Sequence, residues 1–381
     1  MRLGGFAYRA LVALTLSAAS ARPAGLPGSV AEVEGPLASE VLVHAYKRTR
    51  RGMECVVVHP DSASHAAGRP AVAMHEIYSD DTGRAAGGLT ITLVGTDQLE
   101  QTPDAKAAFI RAAQTWQRLL ATPMTVVIGV DFGATDFGEP YDANVIGETR
   151  NPLFVARAGY PTIRAALLDR GEDALDRDLY RALPIESVPT NVGPATNVVA
   201  PAATFQALGL LPQQLDPADD GPMIGFNAAF SFDFDETNGT DSNKVDFYSV
   251  ALHEIGHALG FISFVAERRG RDFPSVAILD LFRVGPKVTL ETFDTAKRRL
   301  KPKGKHVFFD GLENLALSTG KPNGKKGDRR QASHWKDDEL TGAYIGIMDP
   351  TISLGETKTI TDHDLRALDV MGYRLVGEPA P

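Results

Sequence analysis

Alternating apolar and polar side chains predict two strands in the first half of the chain. They are residues 88–95, GLTITLVG, and residues 124–130, MTVVIGV. Between them, Thr102, Pro103 and Asp104 provide an N-cap, a proline at the first helical position and an acid in the first turn. The helix that follows has apolar residues at three- and four-residue spacing: Phe109, Ala112, Ala113, Trp116, Leu119 and Leu120. This order of elements favours a sheet backed by a helix.

A second amphipathic helix is predicted over residues 246–259, and Gly260 ends it. Its apolar positions are Phe247, Val250, Leu252, Ile255, Ala258 and Leu259. Residues 223–235, MIGFNAAFSFDFD, have strand character and precede this helix. Further helices are predicted near residues 161–169, 171–182, 274–283 and 361–371. The proline-rich residues 183–221 are predicted to be loop.

The predicted elements indicate an α+β protein whose main domain, residues 86–375, has two lobes. The N-terminal lobe, residues 86–260, would contain the sheet, its backing helix and the helix of residues 246–259. The C-terminal lobe, residues 261–375, is less regular and ends in a helix that begins with a capping box of Thr361 and Asp364.

The first 21 residues have the pattern of a secretory signal peptide. Arg2 and Arg9 are followed by an apolar run that ends in the small residues Ala19-Ser20-Ala21, which predicts cleavage before Arg22. Removal of the two arginines would make the net charge of −9 more negative by two units. No other apolar run approaches the ~18 residues that span a bilayer, so we expect a secreted or periplasmic protein without a membrane anchor. Residues 22–85 would be an N-terminal segment, with removal as a pro-segment one interpretation.

Composition and charge argue against nucleic-acid binding and exclude a disulfide within the chain. Hydrophobic residues make up 43% and charged residues 23% of the chain, as in ordinary soluble globular proteins. An acidic protein is a poor candidate for binding nucleic acid, and its basic runs, residues 297–305 and 321–330, have the Gly, Pro and Asn content of solvated loops. The single cysteine, Cys55, rules out a disulfide within the chain.

The helix of residues 246–259 carries a metal-site motif in the stretch SVALHEIGHALGFIS. His253 and His257 are four residues apart, so both imidazoles lie on one face of the helix and can bind one ion. Glu254 is rotated about 100° from His253 and is placed to hold a water bound to that ion. Zinc lowers the pKa of its water to about 7, and a neighbouring carboxylate can accept the proton. The spacing therefore favours metal-activated hydrolysis of an amide.

The third ligand is not evident from this helix. A catalytic zinc site usually has three protein ligands and an open position, and Ser263, six residues after His257, is a poor ligand. Three histidines follow downstream: His306 in a predicted strand, His334 in QASHWKDD, and His363 in the first turn of the last helix. The residues alone leave the choice among these histidines open.

The chain resembles the metzincin metalloproteases, and among them the leishmanolysin-like branch. The shared features are HEIGHALGF, residues 253–261, a Ser333-His334 pair after a long insertion, and the turn Met348-Asp349-Pro350. The terminal ITDHDLRALDVMGY is similar to the closing helix of the family, and a group of secreted bacterial proteases shares HEIGHALGFIS and ASHW. The chain departs from the family in lacking the cysteine framework of its eukaryotic members and a tyrosine after Met348.

The resemblance implies a secreted zinc endopeptidase that acts on protein or peptide substrates as a monomer. His253, His257 and His334 would bind Zn²⁺, Glu254 would be the general base, and Met348 would lie in a Met turn beneath the ligands. The implied fold has a twisted mixed sheet with a backing helix and an active-site helix in the N-terminal lobe. Two alternatives are a gluzincin-like peptidase with a carboxylate third ligand such as Glu291, and a secreted binding protein with a structural zinc.

Two weaker signals allow further interpretations. Asp233, Asp235, Asn238 and Asp241 lie around Gly239 in an oxygen-rich stretch that could bind Ca²⁺, although a polar turn explains the same residues. Cys55 would be either a small buried hydrophobic residue or, as in some metzincin pro-segments, a thiolate that blocks the zinc.

Overall fold

The computed structural model describes residues 33–34, 41–49, 52–58, 72–80, 88–156, 159–171, 173–212, 221–235, 237–265, 275–320 and 327–377. All of them belong to one compact unit, Ala31–Pro381. The predicted signal peptide, residues 1–21, lies outside the described residues. No helix in the described part of the chain is long and apolar enough to cross a membrane.

The fold is α+β, as predicted, and is organised around a large mixed sheet. Its strands are β1 (Val33–Glu34), β2 (Val41–Thr49), β3 (Gly52–Val58), β4 (Met74–Tyr78), β5 (Thr90–Thr96), β6 (Thr125–Gly133), β9 (Val145–Ala156), β10 (Asn197–Pro201), β11 (Met223–Asn227), β14 (Ser275–Val276) and β18 (Thr351–Ile352). The remaining strands form three small sheets: β7 (Thr135–Asp136) with β8 (Glu139–Pro140), β12 (Phe232–Asp233) with β13 (Val245–Asp246), and β15 (Arg283–Val284) with β16 (His306–Phe309) and β17 (Asn314–Leu317).

The helices are α1 (Asp97–Glu100), α2 (Pro103–Leu119), α3 (Tyr160–Arg170), α4 (Ala174–Arg181), α5 (Ala202–Ala207), α6 (Phe247–Ala258), α7 (Ile278–Leu281), α8 (Asp338–Thr341) and α9 (Asp362–Val370). A 3₁₀ turn covers Leu290–Thr292. The predicted capping box of α9 is confirmed: the Thr361 amide donates to the Asp364 carboxylate at 2.8 Å.

The order of the main sheet is β18-β3-β2-β9-β11-β6-β5-β4. Strands β5, β6 and β11 run parallel to one another, and β9 pairs antiparallel with β11. On its other side β9 pairs antiparallel with β2, which in turn pairs with β3. The hairpin of β2 and β3 comes from the N-terminal segment assigned to residues 22–85, and it is continuous with the sheet of the main domain.

Helices α2 and α6 pack together beneath the sheet. Phe109, Ala112, Ala113 and Trp116 of α2 are buried, as their spacing predicts, and the Trp116 indole donates to the Leu252 carbonyl at 3.1 Å. Aromatic rings fill the space between α2, β11 and α6: the Phe109, Phe226 and Phe247 centroids lie 4.9–5.7 Å apart. This apolar packing sets the position of α6 under β9.

Three of the predicted elements are wrong in part. The helix predicted near residues 274–283 is the short helix α7, Ile278–Leu281, and strand β14, Ser275–Val276, precedes it. Residues 183–221, predicted to be loop, include strand β10 and helix α5. Pro201 is the last residue of the strand and the N-cap of the helix. The strand predicted over residues 223–235 ends at Asn227, whose side-chain oxygen accepts the Ala229 amide at 2.9 Å and forms a turn. Strand β9, the partner of both β2 and β11, was not predicted at all.

Candidate metal centre

Helix α6 brings the motif histidines to the face of the sheet. Strand β9 holds the helix at two backbone positions: Thr149 donates to the Glu254 carbonyl at 3.4 Å and Asn151 donates to the His257 carbonyl at 3.2 Å. Every residue of α6 except Tyr248 is buried. A helix that is covered on all sides holds its side chains in fixed positions.

The structure brings His334 to the two helical histidines. The His253 and His257 Nε2 atoms are 3.0 Å apart, and the His334 Nε2 atom lies 3.2 Å from each of them. Three nitrogens bound tetrahedrally to one zinc ion at 2.0–2.1 Å would be about 3.3 Å apart. The spacing of the three ring nitrogens therefore suits a single ion.

The other ring nitrogen of each histidine is held by a backbone carbonyl. The Nδ1 atom of His253 donates to Ile347 O at 2.7 Å, that of His257 to Phe261 O at 2.8 Å, and that of His334 to Gln331 O at 3.0 Å. Because a carbonyl can only accept, each Nδ1 carries the proton and each Nε2 presents a lone pair. Three buried lone pairs at this distance repel one another unless a cation lies among them, which is the arrangement of metal-binding histidines.

Burial keeps the three histidines in the form that binds metal. It lowers the pKa of His257 to about 3 and lowers the pKa values of His253 and His334 well below the usual range. Neutral imidazole is the ligand form, so no proton competes at ordinary pH.

A fourth potential ligand comes from the N-terminal hairpin. The Cys55 Sγ atom on β3 lies 3.7 Å from His257 Nε2, and ligand atoms of Cys55, His253, His257 and His334 all lie within 4.8 Å of one another. All four residues are buried. One sulfur and three imidazoles form a donor set that a tetrahedral ion would accept.

Glu254 follows His253 on α6, and burial together with the nearby Glu254 carboxylate raises the pKa of the Cys55 thiol. The Glu254 side chain has no exposed surface, and neither carboxylate oxygen has a hydrogen bond within the described part of the chain. Burial raises the pKa of Glu254 to about 8. A cation among the histidines would lower this pKa, because an opposite charge stabilises the carboxylate. An unpartnered buried carboxylate is a feature that a folded protein keeps for chemistry more often than for stability.

Gly256, between the two helical histidines, allows the Met turn to approach. A Cβ atom at this position would lie 2.4 Å from the Met348 Sδ atom. Beside Met348, the Ile347 carbonyl accepts from His253, and the Ile347 amide donates to Asp364 of α9 at 2.8 Å. Met348 thus packs against the helix beneath the ligands, and α9 supports the turn.

The loop that carries His334 is tied to the end of α6. Helix α6 ends before Gly260, whose φ is +111°. The Ser263 amide donates to the Ser333 hydroxyl at 2.8 Å, and the Ser263 hydroxyl donates to the Asp280 carboxylate at 2.6 Å. Ser263 therefore lies outside the ligand cluster. The Ser333 hydroxyl connects the residue before His334 to the segment that follows α6.

Asp280 is itself fixed by a buried ion pair. Arg283 Nε lies 3.0 Å from its Oδ1 atom, and both side chains have 0% exposure. Arg283 also donates to the Ala332 carbonyl, at 2.5 Å, and to the Ser318 carbonyl, at 3.0 Å. This network joins α7 to the segment immediately before His334.

The other predicted candidates for the third ligand lie elsewhere. His306 contacts Arg283 Nη1 at 3.3 Å and the Lys303 carbonyl at 3.3 Å. His363 is half-buried in the first turn of α9. Glu291 is exposed and accepts from the Thr289 hydroxyl at 2.6 Å. None of the three belongs to a potential metal-ligand group among the described residues.

The oxygen-rich stretch near Gly239 does not form a ligand group in the part of the chain that the structure describes. Asp233 accepts the amides of Asp235 and Asp241, at 3.2 and 2.9 Å, and Asp241 pairs with Lys244. These bonds are those of a polar turn.

A second acidic group contains Asp337, Asp338 and Asp349. Lys358 Nζ lies 3.2 Å from Asp338 and 2.9 Å from Asp349, and Arg330 pairs with Asp337. Cationic side chains of the protein already compensate these carboxylates.

Two aromatic side chains near the cluster were not identified from the sequence. The His44 ring stacks on His257 with centroids 3.9 Å apart, and the Tyr46 ring packs against His253 at 5.0 Å. Both belong to β2, and their two-residue spacing within VLVHAYKRT is the one available signal that they share a face.

No protein-family model, curated protein or solved structure matches this chain. The geometry shows a buried cluster of one cysteine and three histidines that could bind a metal ion.

Proposed function

We propose that this protein is a secreted zinc-dependent endopeptidase of metzincin type. The observation that carries the proposal is the convergence of three Nε2 lone pairs, 3.0–3.2 Å apart, one residue along α6 from an unpartnered buried carboxylate. In this proposal His253, His257 and His334 bind Zn²⁺. The close approach of Met348 to Gly256 and the parallel strands above α6 support the metzincin assignment.

The chemistry follows from the positions of these groups. A bound zinc ion would supply a Lewis acid that polarises the peptide carbonyl and acidifies a water molecule. A Glu254 carboxylate oxygen would accept the proton of that water and return it to the leaving amide nitrogen. The backbone carbonyls at Ile347, Phe261 and Gln331 would keep each imidazole oriented during the reaction.

A structural zinc site is the second candidate. The position of Cys55 favours it, because structural sites have four protein ligands and no open position. Glu254 argues against it, since a structural site has no use for a buried carboxylate without a partner. The gluzincin-like alternative has less support, because Glu291 is exposed and bonded to Thr289.

The test separates metal binding from hydrolysis. Zinc content and casein hydrolysis would be measured for the wild type and for Cys55→Ala, each with and without Glu254→Gln, with Glu291→Gln as a surface control. We expect stoichiometric zinc in all proteins and hydrolysis in the Cys55→Ala background that falls by about 10²–10⁴-fold with Glu254→Gln. Hydrolysis that survives Glu254→Gln would exclude this base, and full zinc content without hydrolysis in any protein would favour the structural site.

A further inference from the structure

Four arginine side chains are buried in the described part of the chain, and three of them pair with carboxylates. Arg150 pairs with Asp136 and Glu148, Arg283 with Asp280, and Arg330 with Glu54, Asp337 and Glu339. The fourth, Arg298, has 0% exposure and forms no ion pair with any described residue. Burying a charge is unfavourable unless the charge is paired, so Arg298 differs from the other three in a way that requires an explanation.

The guanidinium of Arg298 has two N–H groups that bind nothing described. Nε donates to the Leu281 carbonyl at 2.7 Å, and Nη1 donates to the Phe293 and Ala296 carbonyls at 2.8 and 2.6 Å. These bonds use three of the five N–H groups of an arginine. Nη2 is buried and has no hydrogen-bond partner among the described residues. The three carbonyls are neutral and do not compensate the charge.

Arg298 remains charged despite its burial. Burial lowers the pKa of Arg298 to about 10, and electrostatic interactions with Tyr160 and Asp294 oppose this shift. Asp294 is exposed. Tyr160 is neutral at ordinary pH, because burial raises its pKa to about 12, and its hydroxyl donates to the Pro184 carbonyl at 2.7 Å. A full positive charge therefore lies in the interior of the protein without a buried counterion among the residues that the structure describes.

Aromatic rings surround one side of the guanidinium. The Phe293 ring centroid is 4.3 Å from its central carbon, which is a cation–π contact. Phe293 packs in turn against Phe282 and Phe309, with centroids 6.2 and 5.3 Å away, and all three rings are buried. Charges attract one another more strongly in such apolar surroundings than in water, so an anion beside Nη2 would be bound more firmly than at the surface.

The backbone of Arg298 connects the two lobes. Its amide donates to the Pro189 carbonyl at 2.8 Å, and its carbonyl accepts the Asn191 amide at 3.0 Å. Both partners belong to the N-terminal lobe. The side chain reaches Leu281 of α7, the helix whose Asp280 takes part in the network beside the metal centre. Arg298 thus lies where the N-terminal lobe meets the support of the third histidine ligand.

We propose that Arg298 Nη2 binds a halide ion, chloride under ordinary conditions, and that this ion stabilises the junction of the two lobes. A monoatomic anion accepts the two N–H groups and has no further acceptor to satisfy. A buried phosphate or sulfate would leave most of its oxygens without donors, which is unfavourable. The proposal does not depend on the peptidase function.

The first test locates the ion in the wild type. Crystals of the full-length protein would be grown in sodium bromide and in sodium gluconate, because bromide replaces chloride and has an anomalous X-ray signal. We expect an anomalous peak within hydrogen-bonding reach of Arg298 Nη2 in bromide and none there in gluconate. A water molecule or a protein carboxylate at Nη2 would overturn the proposal. Bromide peaks at the surface alone would show an adventitious ion only, with the same consequence.

The second test measures stability as chloride replaces gluconate at constant ionic strength. The midpoint of denaturant unfolding of the wild type should rise along a saturating curve, because an anion that binds only the folded state stabilises it by an amount set by its concentration. Arg298→Met should lack the saturating rise. Arg181→Met, at the exposed pair with Asp178, should retain it. An equal rise in all three proteins, or none in the wild type, would contradict the proposal. The bromide experiment decides if Arg298→Met does not fold.

The position of Arg298 also predicts an effect on zinc. Replacing chloride by gluconate should weaken zinc binding by the wild type a few-fold to about tenfold, the lower end of the loss seen when support of a ligand is changed. Chelator competition measures the affinity. Because chloride can itself bind zinc, Arg298→Met is the control, and its zinc affinity should be the same in both salts. A chloride effect of equal size in the two proteins would overturn the connection between Arg298 and the metal centre.

Discussion

The two sides of the metal centre differ in how their polar atoms are partnered. On the ligand side, each of the three histidines has its Nδ1 proton bound to a backbone carbonyl at 2.7–3.0 Å. On the hairpin side, His44 is equally buried and has a hydrogen-bond partner for neither nitrogen within the described residues. Both sides are apolar and closely packed, so burial alone does not distinguish them.

The ligand imidazoles are therefore oriented by hydrogen bonds, whereas the His44 ring is positioned by its packing on His257. The network of Asp280 and Arg283 secures the segment before His334 through bonds to the Ala332 and Ser318 carbonyls. The hairpin has backbone pairing with β9 and β18, and its described side chains form ion pairs between Glu54 and Arg330 and between Lys47 and Asp142. Variants on the ligand side should therefore disturb both metal binding and stability.

The largest effect is expected for His334→Ala. Loss of one imidazole should weaken zinc binding by about a hundredfold or more, because even changes to residues that support a ligand cost 10–100-fold. Competition with a chromogenic chelator measures the affinity. His306→Ala and His363→Ala are matched controls and should bind zinc as the wild type does. A His334→Ala protein that binds zinc with wild-type affinity would show that His334 is not a zinc ligand.

A smaller loss of zinc affinity is expected for Arg283→Met. It leaves the Asp280 carboxylate buried without its cation, which should lower the free energy of unfolding by about 3–5 kcal/mol. Zinc affinity should fall by about 10–100-fold, since the segment before His334 loses its support. Denaturant titration and chelator competition measure the two effects. Arg181→Met, at an exposed ion pair with Asp178, should change stability by less than about 1 kcal/mol. Unchanged zinc affinity in Arg283→Met would show that the network has no part in positioning His334.

The smallest of these effects is expected for Gly256→Ala. On an isolated helix this change would stabilise by roughly 1 kcal/mol. Here the new Cβ atom would lie 2.4 Å from Met348 Sδ, so we expect a destabilisation of about 1–3 kcal/mol. Adding Met348→Ala to Gly256→Ala should recover part of the lost stability. Thermal unfolding of the wild type, the Gly256→Ala protein and the double variant measures this recovery. A stabilised Gly256→Ala would mean that Met348 does not press on the ligand helix.

Sequence patterns predicted the elements whose apolar residues face one core. Phe109, Ala112, Ala113 and Trp116 repeat at helical spacing and are buried on one side of α2. The motif on α6 was recognised because chemistry and helical spacing coincide in His253 and His257. The position of His334 beside them was inferred from a resemblance, since no local pattern reports that a loop 77 residues away returns to a helix.

Strand β9 and the role of the hairpin could not be predicted from hydrophobic pattern. Thr149 and Asn151 of β9 are fully buried polar residues that hold the carbonyls of α6, so the strand lacks the alternation that marks a half-exposed sheet. Cys55 was singled out from the sequence as a buried residue or a zinc-blocking thiolate, but its position beside the histidines depends on partners brought together by the fold. The hydrophobic periodicity of a sequence does not report polar contacts between distant segments.

X-ray absorption spectroscopy of the zinc-loaded protein tests the account most directly, because it counts the ligand types at the metal. The wild type should show three nitrogen ligands at about 2.0–2.1 Å and one sulfur at about 2.3 Å. In Cys55→Ala an oxygen ligand should take the place of the sulfur while the three nitrogens remain, because a catalytic site keeps an open position. A ligand set with fewer than three imidazoles, or a Cys55→Ala protein that no longer binds zinc, would contradict the account.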